Sequence, residues 1–129
     1  MVDSSVWIDS FNGVRSTESR LLREAIENKQ VLIGDLIVHE VLRGFRDDKQ
    51  YEAAKTALLS FEPVPMLGVA QAVRAAETYR LLRKLGVTIR KPNDTLIASY
   101  CLTYDIPLLF TDRDFNPFVE HLGLRRALG

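Results

Sequence analysis

The chain is poor in the residues that build the commonest metal and redox sites. Its 129 residues include one cysteine, Cys101, and two histidines, His39 and His121. A lone cysteine excludes an internal disulfide and a cysteine-rich zinc centre, and its neighbours Ala98 and Leu102 suggest a buried structural thiol. Two histidines are too few for a histidine-based metal cluster, and His39 reads as a helix-surface or packing residue. No apolar run reaches the roughly 20 residues of a membrane-spanning helix. The chain does not open with a basic stretch leading into an apolar one, so no signal peptide is expected and the protein is expected in the cytoplasm. No internal repeat, low-complexity tract or linker divides the chain, and residues 1–129 are expected to form a single domain.

Net charge is lacking too, but the zero is unevenly spread. Residues 1–64 carry 8 Lys/Arg against 11 Asp/Glu, and residues 65–129 carry 9 against 6. Neutrality overall does not exclude a polyanionic partner, because local patches steer one. Arg80, Arg83, Lys84, Arg90 and Lys91 form the densest basic run, and its ordinary alternative is a solvated helix face.

What is present is an alternation of short apolar runs with longer helical patterns, the signature of an α/β domain with a parallel sheet. Val2 leads into Asp3 and then an apolar turn of Val6, Trp7 and Ile8, which reads as a strand end followed at once by a helix. Ligands sit at such junctions in open parallel sheets, although Asp3 or Ser4 can equally serve as a helix cap. Ser16 or Thr17 caps the next helix, with Leu21, Leu22, Ala25 and Ile26 at helical spacing. Val31–Ile33 reads as a second strand closed by Gly34. A helix from Asp35 carries Glu40 on the same face as Leu36 and Ile37, an unusual place for a carboxylate; a partly exposed Glu at the helix edge is the alternative. Asp47 and Asp48 suit the positive end of a further helix.

Residues 61–64 read as a short strand nearer the sheet edge because of Pro63. A long helix over 69–85 follows, with Ala72, Val73, Ala76, Tyr79, Leu82 and Leu85 as its apolar stripe and Gly86 as its stop. Pro92 and Asn93 mark another helix start, with Asn93 as the expected cap. Asp94 then lies in the first turn, on a face with Ile97, Ala98 and Cys101, where the helix dipole alone would favour it. Residues 107–111 read as the clearest strand, ending in Asp112 and Asp114, and residues 122–127 as one more edge strand.

Asp3, Glu40, Asp94 and Asp112, with Asp114 as a fifth, thus fall where such a sheet would aim them at one crevice. A cluster of this kind repels itself unless a cation neutralises it. Oxygen donors without Cys or His favour Mg²⁺ or Mn²⁺ over zinc, and the matching chemistry is metal-assisted phosphodiester hydrolysis.

Four motifs sharpen this: Val2-Asp-Ser-Ser-Val-Trp-Ile-Asp9, His39-Glu-Val-Leu-Arg-Gly44, Pro92-Asn-Asp-Thr-Leu-Ile-Ala98 and Leu109-Phe-Thr-Asp-Arg-Asp-Phe115. In this order and spacing, over nearly the whole chain, they resemble the motifs of PIN-domain ribonucleases, and more narrowly the VapC toxins of type II toxin–antitoxin pairs. The resemblance implies a PIN-like α/β fold, a central parallel sheet of about five strands flanked by helices. It implies Mg²⁺- or Mn²⁺-dependent cleavage of RNA, with transfer RNA and ribosomal RNA both used in the family. Asp3, Glu40, Asp94 and Asp112 match the catalytic acids. Asp3, Asp94 and Asp112 would hold the metal directly or through water, with Asp114 as a further ligand; Glu40 would hold the metal or position the water. Ser5 and Thr111 match hydroxyl positions that support the ligands.

Arg43, Arg46, Arg90 and Lys91 are candidates to hold the RNA backbone, whereas Trp7, Tyr79 and Phe115 read as core. A VapB-type antitoxin that covers the acidic groove and a homodimer are implied as well. Two departures stand out. Only two residues precede Asp3, so the native start is expected further upstream, and Ser4 stands where threonine is common. A haloacid-dehalogenase-type phosphatase would need an Asp at Ser5, and a receiver domain would need paired early acids and a late Lys. The non-enzyme alternative is a catalytically silent PIN-fold module that binds partners.

Overall fold

The structure, a computed structural model, describes residues 1–128; Gly129, the last residue of the expected domain, lies outside the described residues. Among the described residues seven helices follow one another: α1 (Ser4–Phe11), α2 (Thr17–Glu27), α3 (Asp35–Leu42), α4 (Asp48–Leu59), α5 (Val69–Lys84), α6 (Pro92–Tyr104) and α7 (Asn116–Leu122), with a 3₁₀ turn (Arg113–Phe115) before the last. Three of these helices, α1, α2 and α4, start where the sequence offers an oxygen to a free N–H group. Asp3 accepts from the Ser5 amide, Asp47 from Gln50, and Ser16 forms a reciprocal capping box with Ser19.

Between the helices the chain pairs with itself at single points. Parallel bridges join Val2 to Leu109, Gly34 to Val64 and Leu108 to Arg126. Backbone hydrogen bonds extend the contacts: Asp3 N–H donates to Leu109, Val2 N–H to Leu32, and Val64 N–H to Ile33. The extended segments therefore neighbour one another in the order 64, 33, 2, 109, 126. Among the described residues these are isolated bridges and not continuous strands, so the expected sheet of about five strands is present only in this reduced form. The cause is local. α1 begins directly after the Asp3 cap, α3 begins directly after Gly34, and Glu62, with φ +54°, breaks the run at 61–64.

The helices close over this centre. Val6, Trp7, Ile33, Ile37, Leu58, Ile97, Phe110, Phe115 and Phe118 are buried in one cluster with Cys101. Trp7 and Phe115 thus lie in the core, and Tyr79 packs against it half-buried. Burial pushes the Cys101 thiol up to about 12, which leaves it a packing residue. Three local expectations change. The buried face of α5 is Gln71, Ala75 and Leu82, whereas Val73 and Leu85 are exposed; apolar residues on both sides of this helix let periodicity pick the wrong face, and packing on α6 decides it. The cap position of α6 belongs to Lys91 and not to Asn93, because Pro92 fits the first helical turn and forces the residue before it into extended backbone. The expected edge strand at 122–127 is shortened, since α7 runs through Leu122 and Gly123 turns the chain with φ +75°.

Candidate active site

Asp3, Asp94, Asp112 and Asp114 stand where one element gives way to the next, and Glu40 projects from within α3. Asp3 ends the first extended segment and caps α1. Its Oδ2 accepts from the Ser5 amide at 3.0 Å and the Ser5 hydroxyl at 2.6 Å. Ser5 Oγ in turn accepts from the Thr111 amide at 3.2 Å. A single hydroxyl thereby ties the first junction to the segment that carries Asp112. Thr111 takes part through its backbone N–H.

Asp94 sits in the first turn of α6, 5% exposed, with Oδ2 buried and without a hydrogen-bond partner among the described residues. Burial drives its carboxyl up to about 7; Lys91 opposes this, while the charges of Asp3, Asp112 and Glu40 add to it. Asp94 is therefore electrostatically in touch with three other acids at once. Asp3 also lies above the ordinary carboxylate range, first through burial, partly offset by its bonds to Ser5, with Glu40 adding to the rise. Glu40, half-buried on α3, keeps Oε1 buried and unpartnered. These are two orphaned carboxylate oxygens in one neighbourhood, where a folded protein ordinarily pairs such atoms.

Asp112 caps the 3₁₀ turn through the Asp114 amide at 2.9 Å. Lys91 Nζ lies 2.6 Å from Asp112 Oδ2 and 3.1 Å from Asp114 Oδ2, and an Arg90 nitrogen lies 3.9 Å from Asp114. Burial works against ionisation of Asp112, but Lys91, the Asp114 amide and Arg90 outweigh it and hold the carboxyl below its ordinary value. Asp94, Asp112 and Asp114 offer ligand oxygens that all lie within 4.8 Å of one another. Asp3 is outside this group of three and stands next to it through its charge coupling to Asp94.

The donor set fits a hard divalent cation. Every donor is oxygen, the carboxylates repel one another, and Asp94 Oδ2 lacks any other partner. Of the basic residues picked from sequence, Arg43 and Arg46 are exposed, while Arg90 and Lys91 sit on the acids themselves. The Lys91 contact escaped the sequence reading because the pair spans 21 residues. Thr95 escaped it too: it is buried beside Asp94 with Oγ1 unpartnered, and the only signal in the sequence was a polar residue next to the acid.

The VapC ribonuclease Mb1587 of Mycobacterium bovis and ribonuclease VapC11 of Mycobacterium tuberculosis are each 28% identical to the chain over 134 residues, an overlap of 98% of this chain and 96% of the relative. Among the described residues no helix is long and apolar enough to cross a membrane. The PIN domain family matches residues 1–118, a span that includes all five acids, and the chain belongs to that family.

Proposed function

We propose that this protein is a metal-dependent endoribonuclease that hydrolyses RNA phosphodiester bonds, and that it is the toxin of a type II toxin–antitoxin pair. The observation that carries the reading is the convergence of Asp94, Asp112 and Asp114, with Asp94 Oδ2 and Glu40 Oε1 buried and unpartnered, in a chain of this family. Asp94, Asp112 and Asp114 would hold Mg²⁺ or Mn²⁺, with Asp3 contributing directly or through water. A cation held there lowers the pKa of water and stabilises charge that develops on phosphate oxygens. Glu40 orients the attacking water, or takes its proton, through the free Oε1. Ser5 fixes the Asp3 carboxylate, and the Thr111 amide fixes Ser5. Arg43 and Arg46 offer exposed positive charge to the RNA backbone, whose neutralisation supplies sequence-independent affinity.

In this reading the five extended segments are the parallel sheet of the fold, the whole chain is one domain, and the protein works in the cytoplasm as a homodimer held in check by a VapB-type antitoxin. The relatives named as VapC ribonucleases support the ribonuclease part of this reading. A second reading, the catalytically silent PIN-fold module, draws on one observation: the Lys91 ammonium pairs with both Asp112 and Asp114.

Cleavage of total cellular RNA by the antitoxin-free protein separates the two. The comparison is between Mg²⁺, Mn²⁺ and EDTA, with Asp94→Asn beside the wild type. Discrete fragments that need metal and vanish in the variant are expected, and their ends tell transfer RNA from ribosomal RNA. An intact RNA population from folded protein that also binds no metal would leave only the partner-binding module.

A further inference from the structure

We propose that Lys91 is a built-in counter-ion of the acidic centre, seated on Asp112 and Asp114 in the metal-free protein and displaced by the divalent cation these acids bind. The inference rests on the metal part of the reading above and not on RNA cleavage.

Lys91 occupies the cap position of α6 without capping it. Pro92 holds the backbone there extended, and the side chain reaches across 21 residues of sequence to Asp112. Its ammonium touches Asp112 at 2.6 Å and Asp114 at 3.1 Å, two of the three acids whose oxygens gather within 4.8 Å. It does not satisfy the third. Among the described residues no hydrogen bond or ion pair joins Lys91 to Asp94, whose 5% exposed side chain keeps Oδ2 without a partner. A single positive charge thus offsets part of the negative charge on the outer two acids and leaves the inner carboxylate open. A divalent ion serves all three. It would draw on the same two carboxylates, Asp112 and Asp114, and an ammonium at contact distance from it would be repelled. The Lys91 side chain is 52% exposed, so water takes the ammonium readily once it leaves. The lysine therefore has two positions, on the acids without metal and in solvent with it, and metal affinity includes the work of moving it.

The test is calorimetric titration of Mn²⁺ or Mg²⁺ alone into the metal-stripped full chain, with no RNA present. Lys91→Met is expected to bind the ion about fivefold more tightly than wild type, the size of a well-made exposed ion pair. Arg90→Met removes the same charge one residue away, from a 3.9 Å contact, and is expected to give well under half that gain. Unchanged or weaker binding in Lys91→Met, or an equal gain in Arg90→Met, overturns the inference and leaves the metal reading standing. No binding by any of the three chains overturns both. Wild-type protein gives a second readout that needs no variant: acylation of lysine amines followed by mass spectrometry. The rate at Lys91 is expected to rise several-fold when saturating Mg²⁺ is added, while exposed Lys84 stays constant; an unchanged Lys91 rate overturns the inference.

Discussion

Replacing Asp94 with asparagine is expected to stabilise the metal-free protein at neutral and alkaline pH, although it removes a residue the site needs. The carboxyl moves from an ordinary value of 3.8 to about 7, chiefly because it is buried. Below pH about 4 the folded and unfolded states both hold the proton, and Asp94 carries no penalty. As pH rises towards 7, the unfolded chain releases that proton while the folded chain retains it. Stability therefore falls through this window and levels off above it. At about 1.4 kcal/mol per pH unit, the full penalty is about 4 kcal/mol, a ceiling that local relaxation and water entry lower. Asparagine fills nearly the same volume without the charge and escapes the penalty.

The assay is urea unfolding in EDTA at pH 5 and pH 8, wild type against Asp94→Asn. The stability difference between the two chains isolates Asp94 from other titrating groups. The variant is expected to gain about 2 to 4 kcal/mol over wild type at pH 8 and much less at pH 5. Saturating Mg²⁺ is expected to stabilise wild type alone. A variant no more stable than wild type at pH 8, or a gain that is larger at pH 5, would refute the reasoning that burial of an unpaired carboxylate dominates at this position.

The same carboxyl sets the pH dependence of metal binding: a ligand must lose its proton first, so Mn²⁺ affinity measured by calorimetry is expected to fall steadily as pH drops below about 7, where Asp94 protonates, and to level off above it. Ser5→Ala removes the 2.6 Å bond to Asp3 and leaves the Thr111 amide without its acceptor; denaturant unfolding is expected to show a loss of about 1 to 3 kcal/mol, whereas Ser4→Ala, which none of these bonds uses, should cost far less. At Gly34 an added Cβ would run into the Met66 side chain, which is 1% exposed. Gly34→Ala is expected to cost about 1 to 3 kcal/mol, and Met66→Ala in the same chain should recover part of it, a non-additivity that a double-mutant cycle measures directly.

Much of the local structure was determined by the sequence alone. Asp47 and Ser16 cap helices because a short side-chain oxygen placed before an apolar periodic run meets free N–H groups wherever the helix later packs. Cys101, Ile97 and Ala98 are buried as their spacing required, and Asp94 shares that face. The five acids were legible as a set because each stands at the end of an extended run or on the apolar face of a helix, positions that need a reason to hold a carboxylate.

Only the tertiary structure decided how those acids differ. It separates Asp3, whose Oδ2 is taken up by Ser5, from Asp94, whose Oδ2 has no partner. It puts Lys91 on Asp112 and Asp114, not on an open surface. It also chose Gln71 and Ala75, not Val73, as the inner face of α5. The physical reason is common to all three. Periodicity and caps encode relations over three or four residues, but a contact between residues 91 and 112, or between 5 and 111, exists only once the chain has packed and fixed which oxygens are left over.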